Sequence, residues 1–452
     1  MRGRGQGIQR VQISVVLLIA VTVGASAGAW GLGAGLVVQR DTASIALGGE
    51  HGLETALSTV GGTSVLPSQL LLDAVTPQTA HAKTLTSPRA QTAGQFGTSV
   101  GISGTTIVVG AALETASGDY EAGHAYTFNA TTDKRISTLT SPNVQFSGYF
   151  GWSAAISGST VVVGAPYETA SGYTGAGHAY LFNATTGHRI ATLTSPNAQT
   201  YGYFGWSVAI NGTTVVVGAY GEEVSGQDNA GHAYTFNAKT GKLIATLTSP
   251  NAHLFGYFGW SVAISSTTVA VGAYGEEASG LGGAGHVYTF KPKSGALIAT
   301  FVSPNAQTLG YFGHSVALNG TTLVVGANGE SSSGLSAAGN AYTFNAETGK
   351  LYATLTSPNA LSGGYFGYSV AISGTRVVVG ALGEYVAPQS GAGHAYTFTA
   401  KTGKLIATLT SRNPIANGAF GWSVAINGTT VVVGAIGETA KELGGAGHAY
   451  VF

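Results

Sequence analysis

Large and small residues alternate along most of the chain after Lys83, and this alternation predicts short β-strands rather than helices. A strand over 204–210 would carry Phe, Trp, Val and Ile on one side and Gly, Ser and Ala on the other. Similar patterns predict strands over 213–219, 232–236 and 242–248. Because a large face packs closely against a small face, we expect sheets that stack on one another.

This four-strand pattern repeats. The pair Phe-Gly recurs every 54 residues without slippage, at Phe96, Phe150, Phe204, Phe258, Phe312, Phe366 and Phe420. Asn211-Gly212, between the first two strands of the third copy, predicts a type I′ hairpin turn, and residues 238–241 predict a turn between the last two strands. Seven copies of four antiparallel strands predict an all-β fold, a seven-bladed β-propeller of four-stranded blades.

The ends of the repeat region predict how the ring closes. Residues 83–88 match the fourth strand of a blade, whereas 446–452 match a third strand that has no fourth strand after it. We expect the N-terminal strand 83–88 to pair with the C-terminal strand 446–452. That pairing would remove two exposed sheet edges, which are prone to aggregation.

These residues resemble a known family. The pattern Phe-Gly-x-Ser-Val-Ala-Ile followed by Val-Val-Val-Gly-Ala, with Gly164-Ala165-Pro166 intact, resembles the FG-GAP repeat of integrin α subunits and of many exported prokaryotic proteins. The resemblance implies a propeller over 83–452 with an extracellular recognition or adhesion role. Integrin blades also carry a calcium cage of aspartates between the first two strands. Here that position is Asn211-Gly212 or Ser157-Gly158, so no metal or other cofactor is expected.

Composition narrows the class of protein. The 452 residues include 70 glycines without a three-residue period, no cysteine and 8% charged residues. Collagen, disulfides, thiolate zinc sites and cysteine nucleophiles are therefore excluded. Nineteen basic residues balance nineteen acidic ones, which argues against a nucleic-acid partner.

The N-terminal residues predict export. Arg2, Arg4 and Arg10 precede an uncharged stretch over 11–39, and Ala25-Ser26-Ala27 fits a cleavage site. Residues 1–38 are either a signal peptide or an N-terminal transmembrane anchor, and 39–82 are a tether. Both alternatives place the propeller outside the cytoplasmic membrane, secreted or anchored through this segment.

The zero net charge conceals a division between two faces. We define the top face by the loops joining strands two to three and four to one, and the lower face by the two hairpin turns. The top face carries Arg89, Arg412, Lys441 and thirteen acids, which are Glu114, Asp119, Glu121, Glu168, Glu222, Glu223, Asp228, Glu276, Glu277, Glu330, Glu384, Glu438 and Glu442. The lower face carries Asp133, Glu347 and twelve bases, which are Lys83, Lys134, Arg135, Arg189, Lys239, Lys242, Lys291, Lys293, Lys350, Arg376, Lys401 and Lys404.

Each repeat pairs an acid with a residue ten positions later. The acids are Glu114, Glu168, Glu222, Glu276, Glu330, Glu384 and Glu438, and their partners are His124, His178, His232, His286, Asn340, His394 and His448. Such pairs suggest either metal binding or acid–base catalysis. Equivalent histidines on different blades are too far apart to share one ion, and asparagine can replace histidine as a hydrogen-bond donor. We therefore expect a structural clasp that closes the top loop of each blade.

Aromatic residues offer candidate ligand contacts. Tyr149, Tyr203, Tyr257, Tyr311 and Tyr365 precede the Phe-Gly pairs of blades two to six. They either form a collar at the channel mouth, where they could bind a sugar or a cationic group, or pack between blades. Trp152, Trp206, Trp260 and Trp422 are expected in the core. No arrangement of catalytic residues is apparent, so the protein is not expected to be an enzyme.

Five Asn-x-Thr triplets fall in lower-face turns, at Asn129, Asn183, Asn211, Asn319 and Asn427. They are either N-glycosylation sites or turn-forming residues.

Together these features predict an extracellular recognition or adhesion module that binds a glycan or protein ligand through an acidic top face. The alternatives are a polysaccharide-acting hydrolase or lyase, and a structural component of the cell envelope that binds no ligand.

Overall fold

The computed structural model describes residues 82–452, which form β-strands joined by turns and loops. The predicted signal or anchor segment (1–38) and all but the last residue of the predicted tether (39–82) lie outside the described residues. Residues 82–452 contain no helix that is long and apolar enough to cross a bilayer.

In this part of the chain, seven four-stranded antiparallel sheets form a ring, which confirms the seven-bladed β-propeller. Blade 1 contains β2 (Phe96–Ser103), β3 (Thr106–Ala111), β4 (His124–Asn129) and β5 (Arg135–Leu139). Blade 2 contains β6 (Ser153–Ser157), β7 (Thr160–Ala165), β8 (His178–Asn183) and β9 (Arg189–Leu193). Blade 3 contains β10 (Ser207–Asn211), β11 (Thr214–Ala219), β12 (His232–Asn237) and β13 (Leu243–Thr248). Blade 4 contains β14 (Ser261–Ile264), β15 (Val269–Ala273), β16 (His286–Phe290) and β17 (Leu297–Val302).

The remaining blades follow the same order from the axis outwards. Blade 5 contains β18 (Phe312–Asn319), β19 (Thr322–Ala327), β20 (Asn340–Asn345) and β21 (Leu351–Leu355). Blade 6 contains β22 (Ser369–Ser373), β23 (Arg376–Ala381), β24 (His394–Thr399) and β25 (Leu405–Leu409). Blade 7 contains β26 (Phe420–Asn427), β27 (Thr430–Ala435), β28 (His448–Val451) and, as its outermost strand, β1 (Lys83–Thr86).

The ring closes through the pairing expected from the sequence. β1 runs antiparallel to β28, with Lys83 opposite Val451 and Leu85 opposite Ala449. A second link joins blade 7 to blade 1, because Ser423 Oγ donates a hydrogen bond to the carbonyl oxygen of Gly97 at 2.7 Å. Residues from both ends of the described chain thus complete one blade.

The hydrophobic cores lie between blades rather than within them. Phe204, Ile210 and Tyr234 of blade 3 belong to one buried cluster with Val162 and Ala179 of blade 2. Burying each large side chain stabilises the fold by roughly 1.5–3 kcal/mol. The large face of one blade thus packs against the small face of the blade before it. The alternation of large and small residues in the sequence therefore forms the interface between blades.

Glycines allow the blades to approach this closely. A Cβ atom added to Gly164 of blade 2 would lie 1.9 Å from the carbonyl oxygen of Gly205 in blade 3, so no larger residue fits. The same carbonyl accepts a hydrogen bond from Ser153 Oγ at 2.8 Å. The Phe-Gly pair of one blade therefore lies against the Gly-Ala pair of the preceding blade, and this explains why the two motifs recur together.

The predicted type I′ turn at Asn211-Gly212 is wrong. Asn211 pairs with Thr214, so the two central residues of the turn are Gly212 and Thr213. Gly212 has a φ of +57°, and Thr213 is not among the residues with positive φ. Positive φ at the first central residue alone, with glycine there, is typical of a type II′ turn.

A bulge interrupts the inner strands just after the Phe-Gly pair. In blade 7 Phe420 pairs with Ala435 and Ser423 pairs with Gly434, so three steps on the inner strand oppose one step on its neighbour. Gly421 lies in this bulge with a φ of +93°. In blades 1, 5 and 7 the strict alternation predicted from the sequence is therefore broken after the phenylalanine, because a bulge reorients the side chains that follow it.

Candidate ligand-binding site

The seven repeated glutamates are fully buried beneath the top face. In six blades the carboxylate Oε2 lies 2.9–3.0 Å from the Nδ1 of the histidine ten residues later, and the contact of His448 is also aligned as a hydrogen bond. In blade 5 Asn340 Nδ2 donates to Glu330 Oε2 at 2.7 Å. The structure thus brings every predicted Glu–His and Glu–Asn pair into contact.

Two further side chains complete each network, and the sequence interpretation missed them. In blade 3 the hydroxyl of Tyr234 donates to Glu222 Oε2 at 2.5 Å, and Ser195 Oγ donates to Glu222 Oε1. Ser195 follows the outer strand of blade 2, so the network joins neighbouring blades. Both residues recur with the same 54-residue period, and that period was the signal that could have identified them.

The network varies at two interfaces. Ser357 and Ser411 donate to the hydroxyls of Tyr396 and Tyr450, at 3.2 and 3.1 Å, instead of to a glutamate. Within the described chain this leaves Oε1 of Glu384 and Glu438 without a hydrogen-bond partner.

We interpret these networks as loop clasps. The backbone supports this interpretation, since Gly231 N donates to the carbonyl oxygen of Glu222 at 2.8 Å and closes the same loop. Among residues 82–452 no group of three or more His, Asp or Glu side chains is placed to hold a metal ion. In blade 5 burial raises the pKa of Glu330, and the opposing effect of hydrogen bonds from Ser303, Tyr342, Asn340 and Asn305 does not cancel it.

Burial of the seven glutamates changes the charge of the top face. The acids that retain some exposure there are Asp119, Glu121, Glu223, Asp228, Glu277 and Glu442. The same face exposes three bases, which are Arg89, Arg412 and Lys441. The expectation of a strongly acidic top face is therefore wrong, because half of the acids assigned to it are sealed inside the blades.

The five predicted collar tyrosines share an unusual backbone conformation. Tyr149, Tyr203, Tyr257, Tyr311 and Tyr365 have φ values between +54° and +57°. A bulky residue rarely adopts this region, and holding it there costs on the order of 1 kcal/mol per residue. Their backbone amides are tied to the neighbouring top loop, as when Tyr203 N donates to Gly175 O at 3.0 Å.

The tyrosine rings lie against the top loop of their own blade. A Cβ atom on Gly221 would lie 2.8 Å from Cδ2 of Tyr203, and the equivalent distance from Gly275 to Tyr257 is 2.7 Å. The first four tyrosines are half-buried, whereas Tyr365 is 40% exposed. The rings therefore pack against the blades and keep part of their surface exposed, while a ligand-binding collar stays a prediction.

A second set of aromatic rings forms a belt around the axis. The centroids of Trp152 and Trp206 lie 4.7 Å apart, as do those of Trp206 and Trp260. The belt continues through His314, Tyr368 and Trp422 at spacings of 4.9–5.8 Å. In a sevenfold ring such spacings place the centroids about 6 Å from the axis.

The expectation that the four tryptophans belong to the core is wrong. Trp152, Trp206, Trp260 and Trp422 are half-buried and take no part in the buried clusters between blades. The glycine of each Phe-Gly pair is the reason, because its φ of +90° to +100° in all seven blades turns the backbone so that phenylalanine enters the core and the residue two positions later faces the axis.

The aromatic arrangement does not follow the sevenfold symmetry. Blade 1 has Gln95 and Thr98 at the collar and belt positions, and blade 7 has Ala419 at the collar position. A shallow cavity of about 390 Å³ opens where the collar ends, lined by residues that include Tyr365, Leu382, Asn417 and Ala419.

The titratable rings of Tyr149 and His314 in this region are neutral near pH 7. Burial and the nearby carboxylate of Glu121 raise the pKa of Tyr149 to about 12, and Tyr149 donates a hydrogen bond to Glu121 Oε2 at 3.2 Å. Burial lowers the pKa of His314 to about 4, although the carbonyl of Tyr368 near its Nδ1 acts in the opposite direction. Near neutral pH the axis is thus lined by uncharged rings.

The asparagines of the lower face occupy turns. Asn129 Oδ1 accepts hydrogen bonds from the amides of Thr131 and Thr132, and Asn183 accepts an equivalent pair. Asn237 makes the same contacts without belonging to an Asn-x-Thr triplet, so the turn by itself explains asparagine at this position. Asn211, Asn319 and Asn427 are exposed, and glycosylation of all five triplets stays a prediction.

Comparison with known proteins agrees with this architecture. The FG-GAP repeat model matches residues 81–128, 134–182, 188–236, 242–290, 297–344, 351–398 and 404–452. Each match spans the outer strand of one blade and three strands of the next, so the sequence repeat is offset from the structural blade. A search of curated proteins finds no relative. Because the matches cover most of the chain, this protein belongs to the FG-GAP repeat family.

Proposed function

We propose that this protein is an exported recognition module that binds its ligand on the top face, at the tyrosine collar. The observation that carries the proposal is the strained φ of the five collar tyrosines. Glycine would adopt this conformation without cost, so a bulky aromatic residue at five of seven equivalent positions is best explained by what its ring contacts.

A glycan fits this surface better than a charged ligand. The collar and belt are uncharged, and the exposed top-face acids are few. Aromatic rings offer a flat apolar surface and, in tyrosine, a hydroxyl for hydrogen bonding. The cavity beside Tyr365 lies where the next blade has Ala419 instead of a tyrosine. A ligand could therefore contact the ring of Tyr365 there without moving a neighbouring side chain.

Glycan-array binding by the full chain tests the proposal. We expect selective binding that Tyr365→Ala weakens roughly two- to tenfold, since a stacked aromatic contact contributes roughly 0.5–1.5 kcal/mol. Tyr385→Ala is the matched control, because Tyr385 is a 50% exposed tyrosine of the same blade that contacts no other aromatic ring within the described residues. Equal effects of both substitutions would contradict a collar site.

The same experiment addresses the alternatives. Turnover of a bound polysaccharide would favour the hydrolase or lyase. Binding to a protein array alone would favour a protein ligand, as in an adhesion module. Absence of any selective binding would favour a structural component of the cell envelope.

A further inference from the structure

The lower face carries a ring of cations contributed by blades 1 to 6, and the base that blade 7 adds is Lys83. Of the twelve bases assigned to it, all but Lys83 and Arg376 are well exposed. Its two acids are Asp133 and Glu347, and Asp133 is already paired with Lys83 at 3.3 Å. In the described chain no other lysine or arginine of this face forms an ion pair. The positive charge is therefore not neutralised within the protein.

Exposed aliphatic side chains lie beside these cations. Ile190, Leu243, Leu297 and Leu351 are each 40–47% exposed, at or next to the first residue of an outer strand. In three blades a basic residue immediately precedes the aliphatic one, as in Lys242-Leu243. A solvated surface gains nothing from exposing leucine at repeated positions, whereas the boundary of a bilayer accommodates leucine next to lysine.

The polypeptide enters the propeller at the same face. Lys83 opens β1, and its Nζ donates to the carbonyl oxygen of Ala130 at 3.2 Å in a lower-face turn of blade 1. The sequence that directly precedes Lys83 therefore joins the ring at its basic side.

We propose that the lower face docks on an anionic lipid bilayer, with the lysines near the phosphate groups and the leucines in the headgroup region. Each basic residue near such a surface strengthens binding about fivefold at low salt. The top face, with its tyrosine collar, then points away from the membrane.

Vesicle binding by the full chain tests this proposal. The N-terminal apolar stretch contributes alike to vesicles of phosphatidylcholine and to vesicles that also contain phosphatidylserine, so the difference between them reports on charge. We expect the triple variant Lys239→Gln, Lys242→Gln, Lys293→Gln to lose ten- to a hundredfold in binding to the anionic vesicles at about 0.1 M salt. The charge-preserving triple Lys239→Arg, Lys242→Arg, Lys293→Arg should bind like the parent.

A second variant distinguishes a bilayer from a soluble polyanion. The triple Leu243→Ser, Leu297→Ser, Leu351→Ser should weaken vesicle binding several-fold and leave binding to dextran sulfate unchanged. The top-face triple Arg89→Gln, Arg412→Gln, Lys441→Gln removes the same charge and should bind vesicles like the parent. Equal loss of anionic-vesicle binding in the lower-face Lys→Gln triple and in the top-face triple would overturn the proposal. The proposal would also be overturned if the lower-face Lys→Gln triple lost binding to dextran sulfate but kept full binding to the anionic vesicles.

Discussion

Asn340 Nδ2 lies 2.7 Å from Glu330 Oε2, at the position where six other blades place a histidine Nδ1 at 2.9–3.0 Å from the equivalent carboxylate. An amide and an imidazole thus perform the same contact. This relationship favours a structural clasp over a metal site or a catalytic base, since an amide is a poor ligand for zinc and cannot accept a proton at neutral pH.

His232→Asn should therefore lower the free energy of unfolding by no more than about 1 kcal/mol, because Asn can still donate to Glu222. His232→Ala should cost about 2 kcal/mol, since it removes the imidazole that contacts a buried carboxylate and leaves a space. Urea unfolding of both variants provides the measurement. Equal destabilisation by the two changes, or release of a bound metal ion by His232→Asn, would contradict the clasp.

The raised pKa of Glu330 predicts a pH effect of defined sign. A carboxyl group whose folded pKa exceeds its unfolded value contributes stability that is complete below the unfolded pKa and is lost as pH rises through the folded pKa. Glu330→Gln stays neutral and cannot lose this contribution. The stability of the variant relative to the parent should therefore increase from about pH 4 to pH 7, as followed by urea unfolding at several pH values.

Glu347→Gln is the control for this measurement, because Glu347 is exposed in a lower-face turn. Its stability relative to the parent should stay nearly constant over the same pH range. A constant offset for Glu330→Gln as well would contradict the raised pKa.

The lowered pKa of His314 predicts that stability depends on pH in the opposite direction. Its folded pKa of about 4 lies below the ordinary value of 6.5, so the neutral ring contributes stability above pH 6.5 that is lost as pH falls through 4. His314→Trp restores the residue that Trp206 and Trp260 provide in other blades. Between pH 7 and pH 4 the parent should lose about 3 kcal/mol relative to this variant. Thermal unfolding across this range would detect it, with exposed His188→Gln as the control; parallel curves for the parent and His314→Trp would be the contrary result.

Close approach of glycines predicts a sharp position dependence of alanine substitution. Gly164→Ala should destabilise the protein by about 1–3 kcal/mol or more, because its Cβ would lie 1.9 Å from the carbonyl oxygen of Gly205. Gly282→Ala is the matched control, since Gly282 lacks a positive φ and its Cβ would meet no atom within 4 Å. That change should be neutral or slightly stabilising. Urea unfolding would contradict this account of the interface if the two variants were equally stable.

The sequence alone predicted the fold and the pairing of the clasp residues. The 54-residue period defines seven copies, and the unpaired strands at 83–88 and 446–452 defined how the ring closes. Glu222 and His232 could be matched because both follow the same period and flank one loop. These inferences needed only local spacing, which the order of residues contains directly.

The tertiary structure decided which side chains face the protein, the axis and the solvent. Sequence alternation assigned Trp422 to the core with Phe420, but the bulge at Gly421 turns it towards the axis. Charge counting assigned Glu222 to an acidic surface, but Ser195 of the preceding blade and Tyr234 bury its carboxylate. Both outcomes depend on neighbours brought together by packing between blades, and a one-dimensional period carries no information on how far one sheet is shifted against the next.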